Sequence, residues 1–246
     1  MPACRIHPEL ETPLRQFVTD LEGIFARDLL SVCVFGGAAQ GEFQAGLTEV
    51  SLLIVLHQVT AVELRKLVTP IQAARKDFFL DPLLFTMEDL RTSTDVFPLR
   101  LLQVRKGYQL LSGKDFIGTL FVSPEHTRLA CEREAKITVL KLRHLYLVRA
   151  GLRPAWYDAL IDNIQLMIRL IGFALELTGH EIPERTESLL ELAEKEIGIK
   201  QAVLLRVLLL RLSGERLEHG DLETLYEQYL ESVERVARYV DRLSQD

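Results

Sequence analysis

The chain has 246 residues, 48% of them hydrophobic and 26% charged, ample for a buried core and between the sizes of one large and two small domains. A net charge of −6 gives no signal for avid, sequence-independent nucleic-acid binding, which needs many phosphate-neutralising side chains. Three scattered cysteines (Cys4, Cys33, Cys131) form no CxxC pair, and the start lacks the apolar core of a signal peptide, so the expectation is a soluble cytoplasmic protein without zinc knuckle or disulfide framework.

Residues 8–29 place Leu14, Phe17, Leu21 and Phe25 at helical spacing. LLSVCVF (29–35) is strand-like and bounded by Gly36-Gly37, and VSLLIVL (50–56) reads as a second strand. Residues 61–76 form a predicted helix that Pro70 kinks or ends. FFLDPLLF (78–85) reads as a third strand, which Pro82 restricts to an edge or breaks. Thr86 resembles an N-cap, with Glu88 and Asp89 in the first turn. FPLRLLQVRKGYQLLSGKDF reads as short strands or turns around Gly107 and Gly113.

From Ser123 the pattern becomes continuously helical. Pro124, Pro154 and Pro183 open three predicted helices, which stop at Gly151, Gly179 and Gly198. A fourth carries the apolar run 202–212, which is too short and too charged, with Arg206 and Arg211, for a membrane span. The last, from Asp221, spaces Leu222, Leu225, Tyr229, Val233, Val236, Val240 and Leu243 by threes and fours, either a core stripe or a homodimer seam. The expected fold is α+β: a mixed α/β domain over 1–122 followed by an all-α bundle of about five helices over 123–246.

A strand, a Gly-Gly turn opening a short helix, and a second strand bearing acids can face a triphosphate with backbone N–H groups and grip Mg²⁺ with carboxylates two residues apart. Phe35-Gly36-Gly37, a gap, then Thr48-Glu49-Val50-Ser51 and Leu52–Leu56 resemble the signature of the DNA polymerase β nucleotidyltransferase superfamily, especially its small kanamycin- and MNT-type members. Residues 86–116 and 128–151 resemble the connector and first tail helix of nucleotidyltransferase-like proteins with a helical tail. The resemblance implies an NTP held at Gly36, Gly37 and Gly41. It also implies metal-holding acids that bridge the triphosphate and activate a hydroxyl acceptor.

The chemistry-bearing positions depart from that pattern. The first acid is Glu49, longer than Asp by a methylene; the second is Ser51, without charge; and Asp81 is the one candidate for the third. If the site works, Glu49 and Asp81 hold Mg²⁺ and Ser51 serves as a neutral ligand. The blander readings are a strand-edge acid for Glu49, a small cleft residue for Ser51 and turn chemistry for an Asp before Pro. Glu42 reads as a surface acid, and a Ser51–His57 dyad would need the fold to bring the pair together. No histidine follows an Arg at the spacing of the helical ribonucleases. Glu132 or Glu134 is either a base toward an acceptor or part of an ion-paired helix face, and Trp156 and Tyr157 read as packing anchors. Three functions stay open: an impaired nucleotide-binding, regulatory or protein-interaction module; an active transferase moving NMP to a hydroxyl; and an antitoxin-like partner of a helical toxin.

Overall fold

An amphipathic helix, α1 (Pro8–Phe25), precedes the first strand. Pro8 takes the first helical position and the His7 ring accepts from the Glu9 N–H at 3.4 Å. The predicted reach to residue 29 is too long: Ala26 leaves helical geometry with φ 48°, and a 3-10 turn over Ala26–Asp28 leads into the sheet. The structure is a computed structural model and describes residues 6–41, 43, 49–148 and 153–243. Cys4, Glu42, Thr48 and Gly151 lie outside them.

Strands β1 (Leu29–Phe35), β2 (Glu49–Leu56), β3 (Phe79–Thr86) and β4 (Tyr108–Gly113) form one mixed sheet in the order β3-β2-β1-β4. β1 is antiparallel to β2 and β4. β2 and β3 are parallel, joined by helix α2 (Ala61–Ala74) as the crossover that parallel strands require. On one face Val32, Val34, Val50, Leu52, Ile54, Leu56 and Leu80 share a core with Leu10, Leu14, Phe17, Leu21 and Phe25 of α1. Burying each such side chain contributes about 1.5–3 kcal/mol, which is what fixes α1 to the sheet.

Pro70 does not end its helix. Glu63, Leu67, Pro70 and Ala74 form the buried stripe of α2, so packing outweighs the roughly 3 kcal/mol penalty of an internal proline. The stretch read as strands and turns around Gly107 contains two elements: helix α4 (Pro98–Lys106), then β4. Before it, α3 (Met87–Thr92) carries the expected Thr86 cap, whose Oγ1 accepts from the Asp89 N–H at 3.0 Å. β3 is an edge strand, as Pro82 requires.

The chain divides into two compact units, Met1–Ser123 and Pro124–Asp246. The described residues of the second form five helices: α5 (Pro124–Val148), α6 (Arg153–Leu177), α7 (Thr186–Ile197), α8 (Gln201–Ser213) and α9 (His219–Arg242). α7 starts three residues after Pro183 and ends, as expected, at a left-handed Gly198. Trp156, buried, stacks on Tyr146 with centroids 5.1 Å apart and planes 7° apart, and Tyr157 is buried as well. Leu222, Leu225, Tyr229, Val233, Val236 and Val240 are all buried in α9, which packs on α5 and α6, so the stripe is bundle core rather than a seam left open for a second copy. Among the described residues no helix is long and apolar enough to cross a membrane.

Candidate functional site

The carboxyl end of β1, the amino end of β2 and the amino end of β3 meet at one end of the sheet, because β1 and β2 are antiparallel while β2 and β3 are parallel. Phe35 pairs with Ser51, and Ser51 pairs with Asp81. Phe35 also pairs with Tyr108, so Asp81, Ser51, Phe35 and Tyr108 form one row across the sheet. Directly paired residues share a face, and residues two apart on a strand do too, so Glu49, Ser51 and Asp81 project from the same side. Glu49 is exposed; Ser51 and Asp81 are half-buried.

Asp81 is a strand residue and not the turn residue its Asp-Pro context suggests, since β3 is in register with β2 from Phe79 to Thr86. The carboxylate is not alone: an Arg100 guanidinium nitrogen lies 3.8 Å from Asp81 Oδ2. Reading α4 as strands and turns hid Arg100, although Pro98 at the first helical position and Arg105-Lys106 in the last turn are helix signals.

The glycine turn leaves β1 directly beside this row. Gly36 has φ 72° and donates its N–H to the Gly107 carbonyl at 3.0 Å; Gly37–Gln40 is a 3-10 turn, and Gly41 closes it at φ 84°. A Cβ on Gly36 would meet nothing within 4 Å, so its positive φ, not crowding, is what calls for glycine. Thus the short helix expected after Gly36-Gly37 is one 3-10 turn. His57 follows the far end of β2, six residues and about 20 Å of strand from Ser51, so no Ser–His dyad forms.

Beyond Phe35 in the row, the Tyr108 hydroxyl donates to Asp115 Oδ2 at 2.7 Å. Asp115 Oδ1 accepts from the N–H groups of Ile117 (3.0 Å) and Gly118 (2.9 Å). Burial and the Asp115 carboxylate push the Tyr108 phenol up to about 12. Burial also pushes the Cys33 thiol, on the same face, up to about 11, which keeps it protonated and unreactive. Glu132 bonds Arg128 at 2.9 Å and Lys136 at 2.6 Å, and Glu134 pairs with Arg133 at 3.5 Å, so these carboxylates belong to an ion-paired helix face.

Mg²⁺ selects several charged oxygens in near-octahedral array. Here the middle position offers only a hydroxyl, Asp81 is shared with a guanidinium, and no group of three His, Cys, Asp or Glu residues among those described is placed to hold a metal. The donor set does not fit the metal centre that the resemblance implies.

No protein-family model and no curated protein sequence matches the chain. Among solved structures it is similar to the spectinomycin adenyltransferase AAD(9) from Enterococcus faecialis, determined with ATP and spectinomycin. The TM-score is 0.58 at 13% identity, and the match covers 90% of this chain and 98% of that one. At that identity the likeness speaks for the fold: the chain has the nucleotidyltransferase fold of the DNA polymerase β type, with a C-terminal helical bundle.

Proposed function

We propose that this chain is a catalytically impaired nucleotidyltransferase-like protein that acts by binding a nucleotide at the Gly36–Gly41 turn, as a regulatory module. The observation that carries the reading is the row Asp81–Ser51, in which the middle acid is a hydroxyl and the outer acid faces Arg100. The turn has two positive-φ glycines, the kind of backbone that can approach a phosphate closely, while Glu49 and Asp81 supply two carboxylates where transfer calls for three. The similarity to an adenyltransferase determined with ATP supports ATP as the first nucleotide to try.

The test is calorimetric titration of the full chain with ATP, GTP, CTP and UTP, with and without Mg²⁺ or Mn²⁺, together with a radiolabelled transfer assay using spectinomycin as one acceptor. Binding that does not depend on the divalent ion, without transfer, is the expected result. One observation favours a second reading, an active transferase with a divergent metal site: Glu49, Ser51 and Asp81 share one face at one end of the sheet. Metal-dependent transfer that vanishes in Glu49→Ala would establish that reading and refute the first.

A further inference from the structure

We propose that Arg100 is a cation built into the chain where the fold would otherwise call for a divalent ion, and that it excludes Mg²⁺ from this corner of the sheet. The proposal rests on the reading that the metal centre is lost and assigns that loss to a named side chain.

Three observations carry it. Asp81, in register with Ser51 and on the same face as Glu49, is the acid in the row, and its carboxylate lies 3.8 Å from the Arg100 guanidinium. The pair is anchored on both sides, by the β2–β3 ladder and by α4, whose Leu101 and Val104 are 0% exposed. A second guanidinium nitrogen of Arg100 donates to Gln103 Oε1 at 3.4 Å, one turn along α4.

The charge sum agrees. Glu49 and Asp81 contribute −2, Ser51 nothing and Arg100 +1, which leaves −1 to face a dication. A guanidinium about 5 Å from a divalent ion repels it enough, even in water, to weaken its binding on the order of tenfold. It also competes for the Asp81 oxygens, which Mg²⁺ would need without a rival. Asp81 and Arg100 are 33% and 44% exposed at the side chain, so the pair adds little to stability and its effect is on what else can bind there.

The test is Mn²⁺ binding to the full chain, by calorimetry and by loss of the free-ion paramagnetic resonance signal. The set is wild type, Arg100→Leu, Arg100→Lys, Ser51→Asp and the double variant Ser51→Asp with Arg100→Leu, with circular dichroism melts to confirm folding. Wild type and Arg100→Lys should bind Mn²⁺ equally weakly. Arg100→Leu should bind roughly tenfold more tightly, and the double variant at least about another tenfold. Unchanged or weaker binding in Arg100→Leu overturns the role of Arg100, and so does full recovery in Ser51→Asp with Arg100 in place. If wild type itself binds Mn²⁺ tightly and transfers nucleotide, the underlying reading fails instead.

Discussion

Tyr226 and Tyr229 stand one turn apart on α9, both 0% exposed, and differ in one respect that decides the sign of a single deletion. The Tyr226 hydroxyl donates to the Leu142 carbonyl of α5 at 2.8 Å, whereas the Tyr229 hydroxyl is buried without a hydrogen-bond partner among the described residues. Tyr226→Phe removes a made bond and should cost about 1–2 kcal/mol. Tyr229→Phe removes an unsatisfied polar group and should be neutral or stabilise by up to about 1 kcal/mol. Both changes delete one oxygen from a packed core, so the small void is common to the two and the difference of about 1–3 kcal/mol reports the hydrogen bond. Urea unfolding followed by the single tryptophan is the assay, since Trp156 lies 5.3 Å from the Tyr226 ring, centroid to centroid. Equal losses in the two variants would refute the reasoning. Burial also pushes Tyr226 up to about 12 and raises Tyr229. The folded chain then keeps protons that an unfolded tyrosine loses near pH 10, so stability falls as pH rises from about 10 toward the folded values, by up to about 1.4 kcal/mol per pH unit for each phenol. Tyr226→Phe should flatten that alkaline loss.

Two further substitutions test the first unit. Gly113 has φ 81°, and a Cβ there would lie 2.2 Å from the Leu30 carbonyl oxygen, which accepts from the Lys114 N–H at 3.0 Å. Gly113→Ala should therefore cost about 3 kcal/mol or more, read as a lowered far-ultraviolet circular dichroism midpoint; a loss below about 1 kcal/mol would contradict the close approach. Asp115→Ala removes the acceptor of three hydrogen bonds, from Tyr108, Ile117 and Gly118, and at this exposed position should cost about 1–2 kcal/mol. It should also bring the Tyr108 titration down from about 12, visible in the phenolate absorbance, and an unmoved titration would mean that burial alone holds the phenol.

The strands and the glycine turn were legible because their signals are local. β1 and β2 are apolar runs rich in β-branched residues, and the turn between them needs the φ of 72° and 84° that Gly36 and Gly41 supply. For Asp81 the strand reading holds and the blander turn reading fails: Asp-Pro favours turns locally, but eight residues of parallel pairing with β2 hold it extended. α4 was missed because its apolar residues Leu101, Leu102 and Val104 do not fall on one clean stripe, and the glycines at both ends of β4 drew the reading toward turns. Pro70 survived inside α2 because its ring lies on the buried stripe. Arg100 was out of reach: an ion pair between a strand and a helix leaves no spacing in the sequence, and only the register that placed Asp81 beside Ser51 exposes its partner.

The energetics of the sheet explain how such a corner can change while the fold persists. One apolar face of β1 and β2, packed on α1 and α2, lies on the side of the sheet away from Glu49, Ser51 and Asp81, and its burial energy does not depend on them. Three carboxylates gathered at one end of a sheet repel one another unless a cation sits among them, so without the cation each such acid subtracts from stability. A hydroxyl at Ser51 removes one of those charges, and Arg100 offsets another at 3.8 Å. On the proposed reading these are two halves of one change, and the order in which they can be reversed follows from it. Restoring Asp at position 51 while Arg100 remains puts two paired acids beside one existing counter-ion. Removing Arg100 first leaves Asp81 unpaired beside a neutral hydroxyl, a small cost at a half-exposed site. The double change recreates the strongest repulsion, so a divalent ion stabilises it most. The melting temperature of that variant should rise most on adding Mn²⁺, that of Arg100→Leu less, and that of wild type least.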